Sequence, residues 1–357
     1  MPALLLKSLL KSLLAIPSPT GQEQAKQAFI RAYITSRCSA DCIADTPDGL
    51  ILQSQAVSTH QPIALIGHLD TVPDFFEPYY DGDRVYGAGA SDMQAGLASS
   101  ILAFIQLVNQ GQPVAFIAYN REENTPLNAN GLHDLLDAYS DYFKRISLAI
   151  IAEPTNNTVQ LGCVGSIHYT VEIQGKAAHS ARPWDGENAI YKAAPLITGL
   201  AGMQPIARSH AGVVFYDVIT LTTTVGGSGR TTVPDRWTGT VNYRYAPVQS
   251  PEVAEKTGYR YIRSYTDAVI NCTDHAYAGR IIETDLVRAF CQCIKAPIEA
   301  KQAWTDVAQL AYHAIPALNY GPGLTAQAHR PDEYATVSEL EAHYDSLYRV
   351  IKKLQEY

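Results

Sequence analysis

In IALIGHLDTVPD, residues 63–74, an apolar run suited to a buried strand stops at His68, and Asp70 follows two positions later. A continuous apolar run bounded by turn residues is the pattern of a strand covered on both faces. Three further runs are built alike. PVAFIAYN (113–120) leads into Glu122 and Glu123, SLAIIAE (147–153) ends on Glu153, and IPALNYG (315–321) opens a loop reaching AQAHRPDEY with His329. Amphipathic helical patterns separate the runs, so the chain reads as α/β with a mainly parallel sheet. Ligands of open α/β sheets collect beyond the carboxyl ends of the strands. Four strands that each deliver a histidine or a carboxylate to that edge therefore predict a site there.

Helical spacing over 3–15 and 21–36 precedes this sheet, and between 166 and 275 the rhythm changes. SIHYTVEIQG alternates as a strand, 187–201 is helical, VVFYDVITLTT and RWTGTVNYRY alternate again, 250–264 is helical, and DAVINCT is a last strand. The order β-α-β-β-α-β is the ferredoxin-like arrangement. A sheet-type apolar run resumes only after it, so 166–275 reads as a domain inserted into a first domain formed by 1–165 and 276–357.

The 357 residues carry 27 Lys and Arg against 35 Asp and Glu, a formal charge of −8. With no cluster of basic residues, that balance speaks against nucleic acid or an anionic membrane as partner. No stretch approaches the length of a membrane span. MPALLLKSLLKSLLAIPSPTG, interrupted by Lys7 and Lys11, reads as an amphipathic helix rather than a signal-peptide core. The six cysteines (Cys38, Cys42, Cys163, Cys272, Cys291 and Cys293) are dispersed, without a second pair to complete a zinc site. They point to reduced thiols in a cytoplasmic protein.

Residues two apart on a strand face one side, so His68 and Asp70 can share a space in which the carboxylate orients the imidazole for a metal. Alone, the pair reads more readily as a turn or cap. VYGAGASDMQAGLASS (85–100) lacks the third glycine of a dinucleotide loop, because position 92 is Asp92, whose charge would repel a pyrophosphate. Asp92 reads instead as a ligand, or as a plain N-cap, at the start of a helix from about residue 94. Glu122 and Glu123 are adjacent carboxylates, which repel unless a cation lies beside them. One can bind metal while the other acts as a general base; the alternative is a solvated acidic turn. Glu153 closes an apolar strand before Pro154 and His329 lies in a loop, and each alone is compatible with simple exposure. Together His68, Asp92, Glu123, Glu153 and His329 make a donor set suited to zinc. With Asp92 shared, each of two ions would receive a histidine, a carboxylate of its own and the shared one, and Glu122 would take the proton of a water between them.

With these residues in GHLDTVP, YGAGASDMQAG, REEN, AEPT, GKAAHSARPW and YGPGLTAQAHRPDE, nearly the whole chain resembles one family. It is the di-zinc aminoacylase and carboxypeptidase family that includes acetylornithine deacetylase and succinyl-diaminopimelate desuccinylase. The resemblance implies His68 and Glu153 on one zinc, Glu123 and His329 on the other, and Asp92 bridging, with a cis bond to Met93. It implies Asp70 as the orienter of His68 and Glu122 as the base that activates the bridging water. Cobalt or manganese is admitted at either position. The resemblance further implies that the inserted domain is a lid and forms a homodimer. His179 then reaches the partner subunit's site to steady the oxyanion, and Arg244 in VNYRYAP grips a substrate carboxylate, a contact that suits the guanidinium.

AHSARPWDGENAI, AWTDVAQL and YGPGLTAQAHRPDE are most similar to one branch of the succinyl-diaminopimelate desuccinylases. That likeness implies cleavage of N-succinyl-LL-2,6-diaminopimelate to succinate and LL-2,6-diaminopimelate, a step toward lysine and cell-wall precursors. Arg244, Arg182, Thr305, Thr231 and Gly323 are the candidate contacts to this substrate. Two departures bear on it: Thr231 in RTTVPD stands where the family commonly has asparagine, and Cys163 and Val164 replace an arginine that some members carry. An N-acetyl amino acid or a dipeptide on the same site is the nearest alternative substrate. A protein that binds without catalysis is an alternative of another class, against which Glu122 speaks, since a binder needs no base.

Overall fold

The computed structural model describes residues 2–58, 61–72, 75–123 and 125–355. They divide into two compact units, one of Met1–Gly162, Ile281–Glu299 and Thr305–Tyr357, the other of Cys163–Arg280 and Ala300–Trp304.

The first unit is built on an eight-stranded sheet. Its spatial order is Ala40–Thr46, Gly49–Ser54, Val114–Tyr119, Ile63–His68, Leu148–Ile151, Ala317–Asn319, Val159–Leu161 and Ile298–Ala300. The four apolar runs form its centre and are parallel, with Ile63 opposite Val114 and Leu148, and Ala317 opposite Ala149. Every residue of these four strands is buried, as parallel strands covered on both faces must be. On one face Ile66, Ile117, Tyr119 and Ile151 pack with Leu132, Leu135, Phe143 and Leu310. The other face is covered by Ala95–Asn109, which packs between the sheet and the helices Pro2–Leu14 and Val337–Leu354. This inner helix is apolar almost all round, whereas Val337–Leu354 buries only Leu340, His343, Tyr344, Leu347, Val350, Ile351 and Leu354. One stripe at helical spacing suffices for a helix with a single buried face.

Ala40–Thr46 pairs antiparallel with Gly49–Ser54, Gly49–Ser54 with Val114–Tyr119 and Val159–Leu161 with Ala317–Asn319, so the sheet is parallel at its functional centre rather than throughout. A second, three-stranded sheet joins the hairpin of Tyr79–Asp81 and Arg84–Tyr86 to Tyr334–Thr336. Strands of three residues are too short to show a period, and the sequence gives no sign of this sheet. Its consequence is local: it brings the segment after His329 beside residues 87–92.

The second unit is an antiparallel sheet in the order Ile206–His210, Val213–Gly226, Arg236–Tyr245, Gly165–Gln174, Val269–Ala276. Without the short edge strand Ile206–His210, the order is that of the ferredoxin-like fold. Helices Ala189–Ala201 and Pro251–Arg263 cover one face, burying Ala193, Leu196, Ala254 and Ile262 against Ile167, Tyr169, Val241 and Tyr243. Each helix starts at a side-chain cap, Asn188 accepting from the N–H groups of Ile190 and Tyr191, and Ser250 from that of Val253. Among the described residues no helix is long and apolar enough to cross a membrane.

Candidate metal centre

His68 is the last residue of its strand and is fully buried. Its Nδ1 lies 3.0 Å from the backbone carbonyl of Asp70 and 3.5 Å from the Asp70 carboxylate. A proton on Nδ1 directed at that carbonyl leaves Nε2 as the acceptor nitrogen. The Asp70 carboxylate is engaged elsewhere. It accepts from the N–H of Glu122 at 3.0 Å, from that of Glu123 at 2.8 Å, and from the Thr20 hydroxyl at 3.0 Å. Burial pushes this carboxyl up, but His68 and the two peptide N–H groups outweigh it and hold it down at about 2. Asp70 therefore ties the end of the 63–68 strand to the loop that follows 114–119.

Asp92 lies in a wide turn, Ala90–Gln94, that precedes the helix Ala95–Asn109; Asp92 and Met93 have non-helical backbone and a cis bond between them. Asp92 is thus not a plain N-cap. Its Oδ1 is 3.4 Å from His68 Nε2, and its Oδ2 is 3.6 Å from His329 Nε2. One carboxylate presents one oxygen to each histidine.

Each histidine also has a second carboxylate. Glu153 Oε1 is 4.0 Å from His68 Nε2, and Glu123 Oε1 is 3.0 Å from His329 Nε2. Glu123 and Glu153 are buried, whereas His329 is half-exposed in a loop. Two residues here adopt the left-handed backbone that side chains disfavour, Arg121 (φ 59°) and His329 (φ 61°). Arg121 is held there by its N–H on Glu23 at 3.0 Å and by its guanidinium on Asp48 at 2.8 Å and Asp134 at 3.0 Å. That turn sets Glu122 and Glu123 at the sheet edge, the kind of local strain that collects at functional sites.

The electrostatics are those of a cation site. One ligand atom from each of His68, Asp92 and Glu123 lies within 4.8 Å of the others. Burial is the largest influence on Glu122 and pushes its carboxyl well up; His68 opposes this, while Asp306, Glu153 and Glu123 add to it. Burial alone would lower His68, but Asp70, Asp92 and Glu122 raise it well above its ordinary value. The hydrogen bond to Glu123 lifts His329 to about 9 against the effect of burial. Carboxylates crowded round Glu122, beside two imidazoles raised by their acidic neighbours, are what a divalent cation relieves. Two imidazoles and three carboxylates fit such an ion chemically and in their spacing.

Several supporting residues carry no sequence signal of their own. Asp306 of AWTDVAQL is fully buried and accepts from the Tyr119 hydroxyl, the Gln309 amide, and Asn130 at 3.3 Å. Lys26 is buried near Asp70 and Glu23, and burial lowers it to about 7 although both carboxylates oppose the shift. Glu333 accepts from the N–H groups of Gly89, Ser91 and Asp92. Lys26 lies in QEQAKQAF, Asp306 in AWTDVAQL and Glu333 in HRPDE, polar residues whose burial shows only in the fold.

The remaining candidates lie in two groups. Thr305 is buried in the first unit, and a Cβ on Gly323 would come 2.2 Å from the Ser91 carbonyl, so this glycine permits close backbone approach beside Asp92. In the second unit His179 is exposed, pairs in register with Thr232, and accepts at Nδ1 from the Ala181 N–H at 3.1 Å. The Ser180 N–H donates to the Thr231 carbonyl at 2.8 Å and the Arg182 N–H to the His179 carbonyl at 2.8 Å, so His179, Arg182 and Thr231 are neighbours. Arg244 is on a different strand, half-buried, with its Nε on Asn242 Oδ1 at 2.9 Å, and burial lowers its guanidinium.

A sequence profile described as peptidase family M20/M25/M40 matches residues 64–353, a span that runs from before His68 to beyond His329. The chain is 28% identical over 353 residues to the succinyl-diaminopimelate desuccinylase of Corynebacterium glutamicum, covering 93% of this chain and 92% of that one. Among solved structures, a tripeptidase from Staphylococcus aureus matches with a TM-score of 0.80 at 19% identity, over 99% of both chains. A Bacillus subtilis protein described as a dinuclear metal binding peptidase from the M20 family matches with a TM-score of 0.71 at 16% identity, again over 99% of both. The two solved structures share the α/β fold, and the profile spans most of the chain. The chain therefore belongs to peptidase family M20/M25/M40 and is a hydrolase of amide bonds.

Proposed function

We propose that this hydrolase removes succinate from N-succinyl-LL-2,6-diaminopimelate with the help of two divalent ions, zinc by preference and cobalt or manganese as substitutes. The observation that carries the two-ion reading is the divided carboxylate of Asp92, whose Oδ1 is 3.4 Å from one histidine and whose Oδ2 is 3.6 Å from the other. His68 and Glu153 would hold one ion, Glu123 and His329 the other, with Asp92 shared. When bound, such ions polarise a carbonyl and acidify water. Glu122 takes a proton from the attacking water and returns it to the leaving nitrogen, a role suited to a carboxyl pushed well above its ordinary value. Asp70 keeps the Glu122 peptide in place through the bond to its N–H at 3.0 Å.

The substrate assignment is supported by the desuccinylase of Corynebacterium glutamicum, similar over 93% of this chain. It is also supported by arginines available for a substrate rich in carboxylates. Arg244 binds one of them through its guanidinium, and Arg182, Thr305, Thr231 and Gly323 line the remaining contacts. His179 steadies the oxyanion from the partner subunit of a homodimer formed through the inserted unit. Free thiols at Cys38, Cys42, Cys272, Cys291 and Cys293 suit a reducing cytoplasm. The test is a panel of N-succinyl and N-acetyl amino acids and dipeptides, assayed with zinc and with cobalt. Succinyl-diaminopimelate is expected to give the highest kcat/KM; a preference for an acetyl amino acid or a dipeptide would overturn the substrate assignment and leave the hydrolase standing.

A further inference from the structure

Glu333 belongs to HRPDE, four residues beyond His329, and its carboxylate is buried, with 1% of the residue exposed. Among the described residues no lysine or arginine is within ion-pair distance of it. A buried carboxylate without a cation is costly unless hydrogen bonds satisfy it. Its oxygens are satisfied by a single turn: Oε2 accepts from the N–H of Gly89 at 2.9 Å, and Oε1 from the N–H groups of Ser91 at 2.7 Å and Asp92 at 2.8 Å. Its own backbone carbonyl accepts from the N–H of Gly87 at 3.1 Å. The strand that starts at Tyr334 pairs with Arg84–Tyr86, so both sides of this contact are anchored.

Three donors that converge on one point need an acceptor with two oxygens and no hydrogen. A glutamine offers one oxygen and turns an amide N–H₂ toward a peptide N–H. What the arrangement fixes is the peptide of Asp92 relative to the segment carrying His329.

We propose that Glu333 is the positioning residue of the Asp92 turn, holding the peptide N–H groups of Gly89, Ser91 and Asp92 so that the two Asp92 oxygens face His68 and His329 separately. The inference rests on the two-ion reading and extends it to a residue that touches neither an ion nor the substrate.

The test is cobalt binding to the metal-free chain and to Glu333→Gln, by competition with a chromogenic chelator and by the visible absorption of bound cobalt. Thermal unfolding of both proteins is followed alongside. The unaltered chain should bind two cobalt ions. Glu333→Gln should stay folded, bind at least one ion about 10–100-fold more weakly, and show an altered cobalt spectrum. The shorter carboxylate in Glu333→Asp should restore part of the affinity if it reaches two of the three N–H groups. Two ions bound by Glu333→Gln with unaltered affinity and spectrum would overturn this inference alone. A variant that is unfolded even with cobalt present would assign Glu333 to stability and overturn it as well. An unaltered chain that binds fewer than two ions would overturn the two-ion reading and this inference with it.

Discussion

Glu122 is the residue whose surroundings separate catalysis from binding. Its peptide N–H is fixed on Asp70, and its side chain is close enough to His68, Asp306, Glu153 and Glu123 to respond to their charges. Glu122→Gln preserves the shape and the backbone anchor and removes only the capacity to carry a proton. It should retain both ions by metal analysis and lose about 10²–10⁴-fold in kcat, with KM little changed. A variant with near-normal kcat would remove Glu122 from the role of base. In the sequence His68, Glu123 and Glu153 draw attention because they stand at the ends of apolar runs, where a core has no place for a charge, whereas Asp92 lies in a glycine-rich segment and His329 in a loop. Asp70 was legible in kind but not in detail, since the bond of 3.0 Å to His68 comes from its backbone carbonyl while its carboxylate holds the next loop. Glu333, Asp306 and Lys26 were not legible, because a buried charge is recognised only once its partners from distant segments surround it.

Elements are joined behind the site by His343. This imidazole is fully buried on Val337–Leu354, takes a hydrogen bond at Nδ1 from the Ser99 hydroxyl at 2.7 Å, and donates from Nε2 to the Tyr320 carbonyl at 3.1 Å. It pins the outer helix to the inner one and to the segment following Ala317–Asn319. Burial lowers it from its ordinary 6.5 to about 3, against the pull of the Tyr320 carbonyl. The unfolded chain therefore takes up a proton near pH 6.5 that the folded chain refuses until about pH 3. This contribution is fully present above the unfolded value and is lost as pH falls, at about 1.4 kcal/mol per pH unit. Urea unfolding at a series of pH values should show that slope between about pH 6 and pH 4 in the native chain, and His343→Gln should show a shallower one. Equal slopes would mean that other groups carry the acid sensitivity. His343 is a polar residue in the buried stripe of its helix, and its role cannot be read from the sequence because Ser99 and Tyr320 reach it from distant segments. The same limit applies to the three-stranded sheet around Arg84–Tyr86, whose strands are too short to carry a period.

At the scale of the molecule, the cores of the two units are built from different residues. Ile66, Ile117 and Ile151 belong to one, and Ile167, Val241 and Ala254 to the other. A continuous apolar run and an alternating strand record different degrees of burial, and the sequence switches from one to the other and back. All of the candidate ligands, His68, Asp92, Glu123, Glu153 and His329, lie in the first unit. An ion that binds only the folded site stabilises it by mass action, by about 4 kcal/mol when free metal exceeds Kd a thousandfold. That stabilisation acts on the unit that holds the ligands, and the other unit has its own helices and sheet to keep it folded. Removal of metal with a chelator should therefore lower one calorimetric transition and leave a second near its original temperature, which turns a narrow unfolding profile into a resolved pair. Restoring zinc should merge them again. A single transition that shifts as a whole on chelation would show instead that the two units unfold as one cooperative body.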